Sequence, residues 1–275
     1  MSSPSTGSST SAKLRGCTRP GRLARLDALI VQLERELLSR DDDSLVIDFG
    51  VGEWPWTTLE YAQQLRSCRP QLRVLGVEID PHRLRHARRL GREQVEFRQG
   101  SFRLPLGAGE RARLVRAMNV LREYREPEAE AARLSLAEAL VPGGLLVEGT
   151  SSPSGGVLCA HWLRKHETGL AREALLFSCD FSQGFAPLLF RDRLPRDLRR
   201  ACRRGTAIHA FFDAWSEAFA AVRSTGIREE TAVFALSALG LSNRMTGIVC
   251  DAALIERGTL LWRPAHGVPS AYSAL

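Results

Sequence analysis

Lysine is nearly missing from this chain: Lys13 and Lys165 are the only two, and the other basic residues are arginine. Long apolar runs are missing as well. None approaches the ~18 residues that a membrane-spanning helix needs, which argues against an integral helical membrane protein and against a membrane partner. Cysteines number six, none paired at C-x-x-C spacing, and no Cys/His group has the spacing of zinc ligands. Neither a disulfide framework nor a bound metal is therefore expected, and reduced thiols in a cytoplasmic protein are. No internal repeat is present, so a solenoid or propeller is excluded. What remains is ordinary for a globular chain: 44% apolar and 25% charged residues, enough to build a core and too apolar for disorder throughout.

The formal net charge of +7 is unevenly spread. Segment 82–92 (HRLRHARRLGR) holds five arginines and no acid, and segment 191–204 (RDRLPRDLRRACRR) holds seven arginines and two aspartates. Each carries five net positive charges, so the rest of the chain is net negative. In the first segment Leu84, Ala87 and Leu90 recur at helical spacing, which reads as a solvated arginine face over a buried stripe. Neither segment interleaves aromatic residues with its charges, as a nucleic-acid stacking platform would.

Residues 1–20 are rich in Ser, Thr, Gly and Pro and read as a disordered tail. They lack the apolar core of a secretory signal, while their Ser/Arg-rich, acid-poor character also resembles an organellar transit peptide. Leu23, Leu26, Ile30, Leu33 and Leu37 follow the helical period and predict one amphipathic helix over 21–40. From there strands alternate with helices. Strands are expected at 45–49, 74–79, 95–98, 112–120 and 145–148. Helices are expected at 55–68, 81–90 and 127–140, the last stopped by Pro142-Gly143-Gly144. Such alternation implies a parallel sheet covered on both faces. After Thr150 the pattern changes to a short loop, a hairpin over 157–181, three helices between Pro195 and Leu239, and a final hairpin over 248–262. The expected fold is therefore Rossmann-like: a doubly wound, mostly parallel α/β sheet with an antiparallel edge hairpin and a C-terminal helical addition.

Three features fall where an open α/β sheet places its ligand, at the carboxyl ends of its strands. The first is VIDFGVGE, residues 46–53, a strand running into a turn whose Gly50 and Gly52 permit a sharp bend and a close backbone approach. The next helix then aims free N–H groups at that turn. The second is Glu78, at the end of the second strand in VEIDP, where a carboxylate can accept two hydrogen bonds from a ribose diol. The third is the stretch LVPGGLLVEG, residues 140–149.

In this order and spacing the three features resemble the class I S-adenosylmethionine-dependent methyltransferases, over roughly residues 44–150. RAMNVLREY and VEGT also resemble uncharacterised bacterial members of that superfamily. The resemblance implies a methyltransferase that uses S-adenosylmethionine, with residues 21–185 as the cofactor-binding domain and 186–275 as a cover on the substrate side. Asp48, Gly50 and Gly52 would line the methionine part of the cofactor, Glu78 would hold the ribose, and Ile79 would pack on adenine. Ser101 and Phe102 would read the adenine edge, and Asn119 would lie near the ammonium group and the transferred methyl. Trp54, Arg122, Tyr124 and Glu148 are candidates for the substrate side, and no catalytic residue is singled out.

The sequence departs from the family in three places: Trp54 stands where a third glycine is common, Ser101 where an acid is common, and a six-residue loop where a crossover helix usually follows the fifth strand. A small-molecule acceptor is expected in preference to nucleic acid. The alternatives are an RNA methyltransferase and a non-catalytic binding or interaction protein that keeps the fold. A nicotinamide-dependent oxidoreductase would need glycine where Pro55 stands.

Overall fold

The five short apolar runs do form neighbouring parallel strands, and the glycine turns between them set the crevice. The structure, a computed structural model, describes residues 19–263. Most of the tail expected over 1–20 lies outside the described residues, as do Cys17 and residues 264–275.

The N-terminal helical stretch is broken. Helix α1 (Ala24–Leu33) ends at Glu34, and a single further turn, α2 (Arg35–Leu38), follows. The Glu34 carboxylate accepts hydrogen bonds from Trp162 Nε1 at 2.6 Å and from Arg164 at 2.7 and 3.0 Å. Strands β1 (Leu45–Phe49) and β2 (Val74–Glu78) are buried along their whole length. Helix α3 (Trp56–Leu65) follows β1, and α4 (Pro81–Arg89) follows β2 with Asp80 capping its first turn. Strand β3 (Val95–Gln99), strand β4 (Ala112–Met118) and helix α5 (Glu126–Glu138) complete the alternating half.

Strand β5 (Leu140–Ser151) is much longer than expected. Pro142-Gly143-Gly144 does not stop the preceding helix; it lies inside the strand. The register against β4 jumps from Ala112↔Leu140 to Leu114↔Leu145, so the Pro-Gly-Gly stretch is bulged out of the ladder. Gly143 is left-handed at φ 73°, and a Cβ on Gly144 would sit 2.8 Å from the Val141 carbonyl oxygen. Glycine in a strand marks a bulge of this kind.

Strands β6 (Val157–His166) and β7 (Gly169–Cys179) form the expected hairpin. Next come α6 (Arg196–Ala201), α7 (Ala207–Ser224) and α8 (Glu230–Ser242). The chain then adds β8 (Ile248–Val249), the short helix α9 (Ala252–Glu256) and β9 (Thr259–Trp262).

The sheet has nine strands in the order β3-β2-β1-β4-β5-β6-β7-β9-β8. Strands β1 to β5 are parallel and the rest antiparallel. This is the Rossmann-like fold expected, with β9 and β8 paired outside the hairpin as the true edge. One face packs against α1, α3 and α4 through Leu26, Ile30, Tyr61, Leu65, Leu84 and Ala87. On the other, α5 covers the parallel half, while Phe211, Trp215 and Phe234 of the C-terminal helices pack over the antiparallel half. The C-terminal region thus shares a sheet and a core with the hairpin. All five described cysteines are free.

Candidate functional site

Strand order reverses between β1 and β4, which makes the carboxyl end of β1 the switch point where such sheets hold ligands. There Gly50 and Gly52 are both left-handed, at φ 86° and 82°. A Cβ on Gly50 would lie 2.5 Å from Val120 Cγ2, so the bend is closed to any side chain from below as well as by its backbone conformation. On β2, Glu78 turns toward this bend. One carboxylate oxygen accepts from Gly52 N–H at 2.7 Å and the other from Asp80 N–H at 3.0 Å. The residue is buried and ties the two strand ends together. A carboxylate has about four lone-pair sites, so each oxygen keeps capacity for a further donor.

Around the carboxylate lie apolar surfaces. Ile79 is 42% exposed, unusual for an isoleucine one residue beyond a buried strand. The rings of Phe49, Phe102 and Tyr124 form a row, with centroids 5.2 and 5.0 Å apart, joining the end of β1 to the loops that follow β3 and β4. Burial raises the Tyr124 hydroxyl pKa, and the charges of Glu128 and Glu78 add to the shift. Ser101 is exposed beside Phe102, and Arg122 is half-buried against Glu123 at 3.3 Å. The Trp54 indole stacks on Trp56 at 5.9 Å and meets the His86 ring edge-on at 5.3 Å, so it leans on α4.

Three predicted site residues are committed elsewhere. Asp48 points into the sheet face beneath α1 and α3. It accepts from Arg116 Nε at 2.9 Å and from Thr58 Oγ1 at 2.6 Å, while Arg116 also pairs with the buried Asp27 and stacks on Tyr61 at 4.2 Å. Asn119, left-handed at φ 63°, exchanges two hydrogen bonds with Ser151: Nδ2 donates to Oγ at 3.0 Å, and Ser151 N–H donates to Oδ1 at 2.8 Å. The pair clamps the ends of β4 and β5.

Glu148 is buried on the opposite face from Asp48. Arg133 lies 3.4 Å away, and the register partner of Glu148 on β6 is His161. Burial pushes its pKa up to about 7 against the pull of Arg133. It belongs to a buried seam in which Asp197 receives His161 at 2.9 Å, Arg172 at 2.9 Å and Arg133 at 3.3 Å. The structure therefore gathers Gly50, Gly52, Glu78, Ile79, Phe102 and Tyr124 at one rim, and does not bring the Asp48 or Glu148 carboxylate to it.

Sequence reasoning missed two residues at this end of the sheet. Arg22 crosses the tip of β5, donating to Ser151 Oγ and the Ser152 carbonyl, both at 3.1 Å. Gly21 N–H meets both Glu60 carboxylate oxygens of α3 at 2.9 Å. Ser151 falls in a stretch with loop composition, and only the length of β5 reveals its place. Among the described residues no group of three or more His, Cys, Asp or Glu side chains is placed to hold a metal ion, and no helix is long and apolar enough to cross a membrane.

The sheet order and the glycine bend define a Rossmann-like α/β protein whose candidate site lies at the ends of β1, β2 and β4. Solved structures similar to it include several methyltransferases and a [4+2]-cyclase, SpnF. One is CcbJ from Streptomyces caelestis, at 21% identity over 56% of this chain and 71% of that chain, TM-score 0.36. Another is the amino pentose methyltransferase CalS10 from Micromonospora echinaspora, at 20% over 55% and 66%, TM-score 0.34. A third is the N-methyltransferase NodS from Bradyrhizobium japonicum, at 16% over 47% and 62%, TM-score 0.33. No protein-family model and no curated protein sequence matches the chain.

Proposed function

We propose that this protein transfers a methyl group from S-adenosylmethionine to an acceptor. The observation that carries the reading is the Glu78 carboxylate held 2.7 Å from Gly52 N–H, at a bend of two left-handed glycines. The residues fit the cofactor. Glu78 offers free lone pairs to a ribose diol, Ile79 offers an apolar face to adenine, and the Gly50–Gly52 backbone admits close approach. When bound, the cofactor supplies the reactivity, an electrophilic methyl on a sulfonium. The protein's part is to orient and to exclude water. The Phe49–Phe102–Tyr124 row walls one side, Ser101 can accept a hydrogen bond at the rim, and Tyr124 holds its proton at neutral pH, so it can donate one to an acceptor. The Asp48–Arg116 pair fixes the floor beneath the bend, and the Asn119–Ser151 clamp fixes the end of β4 beside it. Both act by position.

A second reading, a binding protein that keeps the fold without transferring methyl, draws on one observation: Glu78 and Asn119 already hold internal hydrogen bonds that fix the strand ends without a ligand. Calorimetric titration with S-adenosylmethionine and S-adenosylhomocysteine separates the two. The methyltransferase reading expects heat with both, and a 10- to 100-fold weaker Kd, about 1–3 kcal/mol, in Glu78→Ala. No heat with either ligand on folded protein would overturn the enzyme. A small-molecule acceptor and a nucleic acid both fit this reading, and the surface beside α4 bears on the choice.

A further inference from the structure

Helix α4 buries Leu84 and Ala87 against the sheet. At 100° per residue, His82, Arg85, His86 and Arg89 then share the opposite face, and all four are exposed. Arg83 flanks them, half-buried, and Arg88 and Arg92 are exposed nearby. None of these arginines forms a salt bridge among the described residues; Arg85 meets only the His82 ring and Arg88 only the Phe97 carbonyl. Their charge is not neutralised within the fold.

Beside this face stand Trp54 and Trp56. Their rings stack with an interplanar angle of 15°, each is 37% exposed, and Trp54 touches His86 edge-on. Trp162, Trp215 and Trp262, by contrast, are each under 5% exposed. Two adjacent, partly uncovered indoles on a soluble surface are a cost that packing does not explain, since neither belongs to a core cluster. Exposed aromatic faces beside unpaired guanidinium groups match the chemistry of unpaired nucleobases on a phosphate backbone. A duplex hides its base faces and offers only the phosphates. The platform also borders the candidate site, because Trp54 lies two residues beyond Gly52.

We propose that the Trp54–Trp56 pair and the His82–Arg89 face of α4 bind single-stranded nucleic acid and present it to the Gly50–Glu78 bend. As the acceptor of methyl, that strand rests on the methyltransferase reading; as a ligand, it does not.

The test is fluorescence anisotropy of the full chain with a fluorescein-labelled oligoribonucleotide of about 12 nucleotides, a length within single-strand site sizes. The same DNA strand, the same sequence as duplex, and anionic lipid vesicles are parallel arms. The single strands are expected to bind at about 50 mM salt with an affinity that falls steeply as salt rises. The duplex should bind at least about tenfold more weakly, because stacking is lost. Trp54→Ala/Trp56→Ala should weaken single-strand binding by about tenfold or more. Arg85→Ala/Arg89→Ala, a purely surface change, should weaken it and reduce the salt slope by about 1.4, two contacts at 0.7 each.

No single-strand binding, equal binding of the duplex, binding of vesicles alone, or indifference to both double variants would each overturn the proposal. Calorimetry with S-adenosylmethionine on the unaltered chain, beside its strand binding, keeps the two readings apart. Cofactor heat without strand binding removes the platform and leaves the methyltransferase. Strand binding without cofactor heat does the reverse.

Discussion

The buried triad beneath the candidate site makes a sharp claim about protonation. Arg116 is fully buried and is the one cation between two buried carboxylates, Asp27 and Asp48. With both ionised the triad would carry a surplus negative charge in a low-dielectric interior. Two facts place the proton on Asp27. It is wholly buried, which raises its pKa to about 7 despite the pull of Arg116, and its Oδ2 has no hydrogen-bond partner among the described residues. Asp48, by contrast, has both oxygens engaged, by Arg116 and by Thr58.

The sign follows from linkage. Between the unfolded value near 3.8 and the folded value near 7, the native state holds a proton that the unfolded chain has lost. Stability therefore falls as pH rises through that window. At about 1.4 kcal/mol per pH unit the whole effect is about 4 kcal/mol, of which about 2–3 kcal/mol accrues between pH 5 and pH 8. Asp27→Asn removes the titration while keeping an acceptor for Arg116. Urea unfolding of both proteins at a series of pH values checks it, with the other titrations common to the two curves. The wild-type curve should drop relative to Asp27→Asn by about 2–3 kcal/mol from pH 5 to pH 8, with little sensitivity to salt because the group is buried. Parallel curves over that range would mean that Asp27 is ionised throughout and that the surplus-charge argument is wrong.

Three further outcomes follow from other parts of the structure. Gly50→Ala places a Cβ 2.5 Å from Val120 Cγ2 at φ 86°, and should lower stability by about 1–3 kcal/mol in thermal unfolding; Val120→Ala in the same chain should recover part of the loss, and no recovery would place the whole cost in the backbone. Burial alone would raise the Asp197 carboxyl, but His161, Arg133 and Arg172 together hold it below the ordinary range. Asp197→Asn should then cost about 3–5 kcal/mol at pH 7, with the gap to wild type narrowing as pH falls below the ordinary carboxyl range, where the unfolded chain takes up a proton that the native carboxylate does not. Trp215→Ala, in a nest of rings that includes Phe190 at 5.4 Å and Phe185 at 5.7 Å, should cost about 3–5 kcal/mol and abolish the near-ultraviolet dichroism of the C-terminal helices; a loss under 1 kcal/mol would mean that the cavity collapses.

The parallel half of the fold was legible because its strands are buried on both faces and appear as short apolar runs between turn residues. Leu45–Phe49 and Val74–Glu78 fall where the runs do. The errors sit where long-range contacts override local signals. The periodic leucines of 21–40 continue past Glu34, yet the helix is interrupted at that residue, whose carboxylate is held by Trp162 and Arg164. Pro142-Gly143-Gly144 has the composition of a helix stop and works as a strand bulge, since the strand resumes its pairing at Leu145. At the site, Gly50, Gly52 and Glu78 were legible because turn geometry and strand-end position are local properties.

Pairing between distant charges is not local, and the arginines show why. Asp48 and Arg116 are 68 residues apart and become neighbours only because β1 and β4 pair in one register; a shift of a single residue would turn Arg116 to the other face of the sheet. Arg113 on the same strand is fully buried too, satisfied by the carbonyls of Leu37, Leu38, Arg40 and Asp42. In sequence these arginines are indistinguishable from Arg85 or Arg89, which face water without a carboxylate. Charge composition therefore could not say which arginines hold the fold and which are left for a ligand. Burial sorts them: those on β4 are consumed by carboxylates and carbonyls, and those on α4 keep their charge beside two uncovered indoles. The same fold that hides Asp48 from the Gly50–Glu78 bend thus leaves a cationic, aromatic rim beside it, and the proposed strand binding would read that rim through its salt dependence.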